Sequence, residues 1–242
     1  MQHASRRGGM KPQGRLVQFL VQFECHRQSL MLHMDDLLIA GWTGRDADIV
    51  EHHIAELEAI GIQRPRATPT FYRVGTNLLT TDLELDVTGP HTSGEVEFVL
   101  LSLAEGLFVG VGSDHTDRKV EAYGVTVSKQ LCPKPIGKHL WPMQEVIEHW
   151  DSLILRSWVT CDGSRRLYQE GVVAKMLPPA ELISRYTALN GSFDVGTVMF
   201  GGTLPVIDGI SGGEWFEMEL EDPVLKRSLE HSYMIRSLAI AD

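Results

Sequence analysis

The chain has 242 residues, with 22 Lys and Arg against 32 Asp and Glu, a formal net charge of −10, and 43% hydrophobic and 22% charged residues. This composition excludes a disordered chain, which combines few large apolar residues with extreme charge, and the length suffices to bury a core without staples. The acidic balance also argues against nucleic acid and anionic membranes as partners, because both are captured by a basic footprint.

Residues 1–15 are basic, polar and Gly-rich and lack the apolar core of a signal peptide, which predicts a loose start and a cytoplasmic protein. Leu16 to Phe23 and Ser29 to His33 read as short strands, with Leu37 to Trp42 a third. The period then changes. Ile49, Ile54, Leu57 and Ile60 fall at helical spacing, predicting a helix over Asp46 to Ile60 that Gly61 stops. Beyond Pro65 the pattern predicts strands over Thr70 to Val74, Leu83 to Val87, Glu95 to Leu103 and Leu107 to Val111, the last two joined by a turn at Ala104-Glu105-Gly106. Val96 to Val111 is the most apolar stretch, but Glu97 and Glu105 interrupt it, whereas a membrane span needs roughly 20 mostly apolar residues. Glu145 to His149 resembles one helical turn. Leu153 to Thr160 and Arg166 to Gln169 read as a hairpin around Cys161-Asp162-Gly163, and Pro178 to Leu189 as a helix with Pro179 in its first turn. Thr197 to Phe200 and Trp215 to Leu220 are late strands. The three cysteines, Cys25, Cys132 and Cys161, form no CxxC pair and read as free thiols of a reducing compartment. The tally is α+β but mainly β, a sandwich or rolled sheet with a few flanking helices, not a doubly wound fold.

Glu95-Val96-Glu97 is the sharpest local feature. On a strand the two acids project from one face, while Val96 and Phe98 point the other way. A solvated strand face is the bland explanation of such a pair. A cation that screens their mutual repulsion is the functional one. Ser113-Asp114-His115-Thr116-Asp117-Arg118 follows an apolar strand and reads either as a polar turn or as a third carboxylate at a strand end. Three carboxylates with open positions suit Mg2+ or Mn2+, hard cations that prefer oxygen. His53 and Glu56 share a helix face, where a carboxylate can orient an imidazole or both can simply be solvated. Lys129 reads by default as a surface lysine ahead of the Pro- and Gly-rich Cys132-Pro133-Lys134-Pro135-Ile136-Gly137.

The order of these pieces resembles the fumarylacetoacetate hydrolase superfamily from about Leu38 to Leu220. Its ExEL-type segment is matched by Glu95-Val96-Glu97-Phe98-Val99-Leu100, and its NDxTxRD-like motif by Ser113 to Arg118. Its lysine segment is matched by Ser128-Lys129, then Pro135-Ile136-Gly137, Glu145-Val146 and Asp151. An NGxxxQ-like hairpin corresponds to Asp162-Gly163 and Gln169-Glu170-Gly171, and GDxIxTGTP to Gly196-Thr197-Val198-Met199-Phe200-Gly201-Gly202-Thr203. Departures mark an outlying branch. Glu121 stands where many relatives carry Gln, Gly-Gly-Thr-Leu-Pro replaces TGTP and places Leu204 in the pocket wall, and Asp222 to Asp242 extends beyond the shared pattern as an expected helix.

The resemblance implies a mixed β-sandwich roll, with residues 1–45 a small N-terminal β region and 46–242 the catalytic domain. It implies Glu95, Glu97 and Asp114 as ligands of Mg2+ or Mn2+ (Ca2+ in a crystal). It implies Lys129 facing the substrate, with Arg118, Glu121 and Thr203 lining its site. His53, oriented by Glu56, would activate water, with His52 the alternative on register grounds. The expected function is metal-dependent hydrolysis of a C–C bond in a small anionic 2-oxo or β-diketo acid by a homodimer. A lyase (decarboxylase, hydratase, dehydratase or isomerase) and a non-catalytic member that keeps the fold are the alternatives.

Overall fold

The computed structural model describes residues 15–23, 26–59 and 64–241, without the side chains at 53, 56, 57 and 59. In chain order the elements begin with β1 (Arg15–Gln22), β2 (Arg27–Met34), β3 (Asp36–Gly41), α1 (Ala47–Ala59), β4 (Thr70–Val74), β5 (Leu79–Thr80), β6 (Glu84–Thr88) and β7 (Thr92–Ser93). The centre holds β8 (Val96–Leu103), β9 (Gly106–Ser113), β10 (Thr116–Asp117), α2 (Arg118–Glu121), α3 (Val125–Leu131), β11 (Lys134–Pro135), β12 (His139–Pro142) and α4 (Met143–Val146). Last come β13 (Ile154–Cys161), β14 (Ser164–Val172), α5 (Pro179–Asn190), β15 (Thr197–Thr203), β16 (Trp215–Asp222) and β17 (Arg227–Leu238).

Two sheets dominate. One is eight-stranded, ordered β2-β1-β12-β9-β8-β15-β3-β4, and the other five-stranded, ordered β14-β13-β16-β17-β6. Strand β8 shows how they stack. Val96, Phe98 and Leu100 enter the core shared with Leu155, Val159, Phe216, Leu220 and Tyr233 of the second sheet. Val99, Leu101 and Leu103 face the other way, into a core formed with Phe19, Val21, Ile39, Leu140 and Phe200, all from the large sheet itself. A sheet that buries both faces, one against its own strands, is curled into a roll. This is why β8 reads as a near-continuous apolar run.

Most strands lie where the periodicity predicts them, and the expected turn at Ala104-Glu105-Gly106 joins β8 to β9. The hairpin between β13 and β14 turns at Asp162 and Gly163, both with positive φ (49° and 73°), the geometry that matches strand twist. Two expectations fail, and two short helices are unforeseen. Asp222 to Asp242 is not a helix but carries β17, because Leu229 and Tyr233 recur at even spacing and enter the core between β16 and β6. Helices α2 and α3 have no counterpart in the sequence reading, since at four and seven residues they are too short to show a helical stripe. Of the stripe expected on α1, Ile54 is buried but Ile49 is 67% exposed, while Leu57's side chain and Ile60 lie outside the described residues. Strands β1, β2 and β3, within residues 1–45, all belong to the large sheet.

Candidate metal centre

Glu95 and Glu97 share a strand parity with Val99 and Leu101, so they lie on the face that lines the roll, at the end where its apolar ladder stops. Antiparallel pairing sets Glu97 opposite Gly112 of β9, which brings Asp114 alongside, and the Asp114 amide donates to the Glu95 carbonyl at 3.0 Å. The ligand oxygens of Glu95, Glu97 and Asp114 all lie within 4.8 Å of one another. Glu97 is 2% exposed, which removes the solvated-face explanation for it, and Asp114 is 0% exposed.

Cations surround this triad unevenly. Lys129, on α3, donates its Nζ to Asp114 Oδ2, and its ammonium lies 5.8 Å from the Tyr72 ring centroid. Lys134 is 0% exposed; its Nζ sits 3.1 Å from Asp114 Oδ1 and donates to the His115 carbonyl at 2.5 Å. Arg118 donates to Ser93 Oγ (2.7 Å) and Glu121 (3.0 Å), and its Nη2 forms an ion pair with Glu95 at 3.0 Å, off the hydrogen-bond axis. Burial alone would raise the Asp114 carboxyl, but Lys129 and Lys134 outweigh it and hold Asp114 well below the usual carboxylate range. Glu97 goes the other way. Burial and the nearby Asp114 push its carboxyl well above the ordinary value, although it accepts the Gly202 amide at 2.7 Å. Lys129 titrates above an ordinary lysine because Asp114 and Glu95 overcome its burial. The lysines therefore satisfy Asp114 and leave Glu97 short of positive charge. A hard divalent cation among the three oxygens would supply it, so the donor set fits Mg2+, Mn2+ or Ca2+.

The strand behind the triad is fixed by Gln169, which is fully buried. Its Oε1 accepts from the Val96 amide (2.9 Å), and its Nε2 donates to Thr203 Oγ1 (2.8 Å) and the Leu204 carbonyl (2.6 Å). Thr203 in turn donates to the Val96 carbonyl at 2.8 Å. Strand β15 bulges between Phe200 and Thr203, and Gly202 at φ +106° turns its N–H toward Glu97.

The structure thus brings together Glu95, Glu97, Asp114, Lys129, Arg118, Glu121 and Thr203. Arg118 and Thr203 have protein partners for their polar groups, and Leu204 is 2% exposed within the core. His53 and Glu56 belong to α1, but their side chains lie outside the described residues; His52 is exposed. Sequence reasoning overlooked Lys134 and gave Gln169 no role. A lysine flanked by Pro133 and Pro135, beside Ile136, was the available signal for the first.

A roll of this topology is the fumarylacetoacetate hydrolase type of fold, and solved structures share it. A fumarylpyruvate hydrolase from Pseudomonas aeruginosa in complex with Mn2+ and pyruvate matches with a TM-score of 0.60 at 17% identity, over 91% of this chain and 97% of its own. A yeast fumarylacetoacetate hydrolase family protein, ynq8, matches with a TM-score of 0.61 at 15% identity, over 84% and 94%. A 2-keto-3-deoxyarabinonate dehydratase matches with a TM-score of 0.60 at 15% identity, over 85% and 75%. No curated protein matches the chain in sequence. Residues 40–233 match the family described as "Protein of unknown function (DUF2848)", and the chain belongs to that family. Among the described residues no helix is long and apolar enough to cross a membrane.

Proposed function

We propose that the protein is a divalent-metal-dependent enzyme that hydrolyses a C–C bond in a small 2-oxo or β-diketo acid. The observation that carries this reading is the triad of Glu95 and the buried Glu97 and Asp114, with Lys129 bonded to Asp114. Glu95, Glu97 and Asp114 would hold Mg2+ or Mn2+, and the Mn2+ and pyruvate present with the fumarylpyruvate hydrolase of like fold support both ion and substrate class. Such an ion supplies Lewis-acid polarisation and a template for neighbouring keto and carboxylate oxygens. His53, oriented by Glu56, takes a proton from water, whose oxygen bonds to the acyl carbon. The C–C bond breaks, its electron pair passes to the enolate of the 2-oxo acid, and the proton ends on that carbon. Lys129, held in its ammonium form by Asp114 and Glu95, stabilises the enolate oxygen. The reading takes a small anionic acid as the partner and a homodimer in the cytoplasm as the working form.

A screen of acylpyruvates, oxaloacetate and 2-oxo-4-enoates with added Mn2+ tests the proposal. Wild type turns over one class and Glu97→Gln loses both Mn2+ binding and activity. Undiminished turnover by metal-stripped Glu97→Gln overturns it. The dehydratase of like fold favours a lyase as the second reading, one that needs no His53-activated water. His53→Ala separates the two, since a hydrolase loses nearly all its rate and a lyase keeps much of it.

A further inference from the structure

Behind the triad runs a buried polar relay that the proposed chemistry does not use. Tyr233, on β17, places its hydroxyl 2.9 Å from Ser113 Oγ and 3.0 Å from His115 Nδ1, and His115 Nε2 lies 2.9 Å from Thr92 Oγ1. Ser113, His115 and Tyr233 are 0% exposed and Thr92 3%. The relay meets the backbone that carries the carboxylates at Ser113 and His115. The Glu95 amide donates to Ser113 Oγ at 3.2 Å, and Ser113 and His115 are the two neighbours of Asp114. The approach is tight, since a Cβ added at Gly94 would lie 2.7 Å from the Tyr233 hydroxyl.

A tyrosine about 120 residues away in sequence thus sits one side chain removed from the backbone that carries Glu95 and Asp114. Ligands held from behind keep their spacing against mutual repulsion, and outer-shell groups of this kind set metal affinity. We propose that Tyr233 is a positioning residue of the metal centre, fixing Glu95 and Asp114 through Ser113 and His115. The inference rests on the reading of Glu95, Glu97 and Asp114 as metal ligands.

Calorimetric titration of metal-stripped protein with Mn2+ tests it, alongside melting curves in chelator. The control is Tyr168→Phe. Tyr168 is another fully buried tyrosine, packed on the same Phe216, but its hydroxyl accepts from the Ser211 amide (3.3 Å), away from the triad. Tyr233→Phe is expected to weaken Mn2+ binding roughly 10–100-fold, while Tyr168→Phe lowers the melting temperature and keeps the affinity within about threefold of wild type. A Tyr233→Phe affinity within that same margin overturns the inference and leaves the metal reading standing. A wild type that binds no Mn2+ overturns both. Should Tyr233→Phe not fold, Ser113→Ala and Thr92→Val cut the relay at its two ends. A loss of roughly tenfold in either then supports the role, and unchanged affinity in both overturns it.

Discussion

Glu97 and Lys134 are the two buried ionisable residues whose removal has opposite consequences. Glu97 is crowded by burial and Asp114, so its ionised form is disfavoured in the metal-free fold. Glu97→Gln keeps the shape and removes the charge. It should raise the melting temperature of metal-free protein by about 2–4 °C, the shift that about 1 kcal/mol gives a chain of this size, while abolishing the stabilisation that Mn2+ confers. Differential scanning calorimetry with and without Mn2+ measures both, and a lower melting temperature for the metal-free variant would contradict the prediction. Lys134 answers Asp114 and the His115 carbonyl from a fully buried position. Lys134→Met strips a buried pair of one partner, and urea unfolding should show a loss of about 3–5 kcal/mol.

At the scale of elements, the sequence made β8 and its two acids legible because alternation assigns Glu95 and Glu97 to one face whatever surrounds them. It did not reveal that this face is buried, because that depends on the sheet curling over itself. Nor did it place β17. The expected helix ignored the even spacing of Leu229, His231, Tyr233 and Ile235, a period-two signal available in the sequence. The Gly201-Gly202 pair departs from the TGTP pattern for a geometric reason. A Cβ at Gly201 would lie 2.0 Å from Phe98 Cε2, and Phe98 is fully buried edge-on against Trp150, with ring centroids 5.0 Å apart. Gly201→Ala should therefore destabilise by roughly 1–3 kcal/mol, read as a lower urea midpoint at unchanged slope. The bulge that aims Gly202 at Glu97 would shift with it, so weaker Mn2+ binding should accompany the loss.

For the whole molecule, the proposed metal and pH would act on one balance. Glu97 has a raised carboxyl in the folded state, so the fold keeps that proton above the pH at which the unfolded chain releases it. Its contribution to metal-free stability is present at acid pH and fades as pH rises through the folded value. Asp114, depressed by the lysines, contributes with the opposite sign; its stabilisation is present above the ordinary Asp range and is lost only in strong acid. An ion that needs Glu97 deprotonated competes with its proton, so binding releases protons and strengthens with pH. At a free Mn2+ concentration 100 times its Kd the linkage is worth about 2.7 kcal/mol, several degrees of melting temperature in a chain of this size. At a fixed Mn2+ concentration that increment should grow from acid to neutral pH in wild type, as Kd falls, and vanish in Glu97→Gln. An increment independent of pH would mean that Glu97 is already ionised before the metal arrives, and the lysines on Asp114 would then have to be screening it as well.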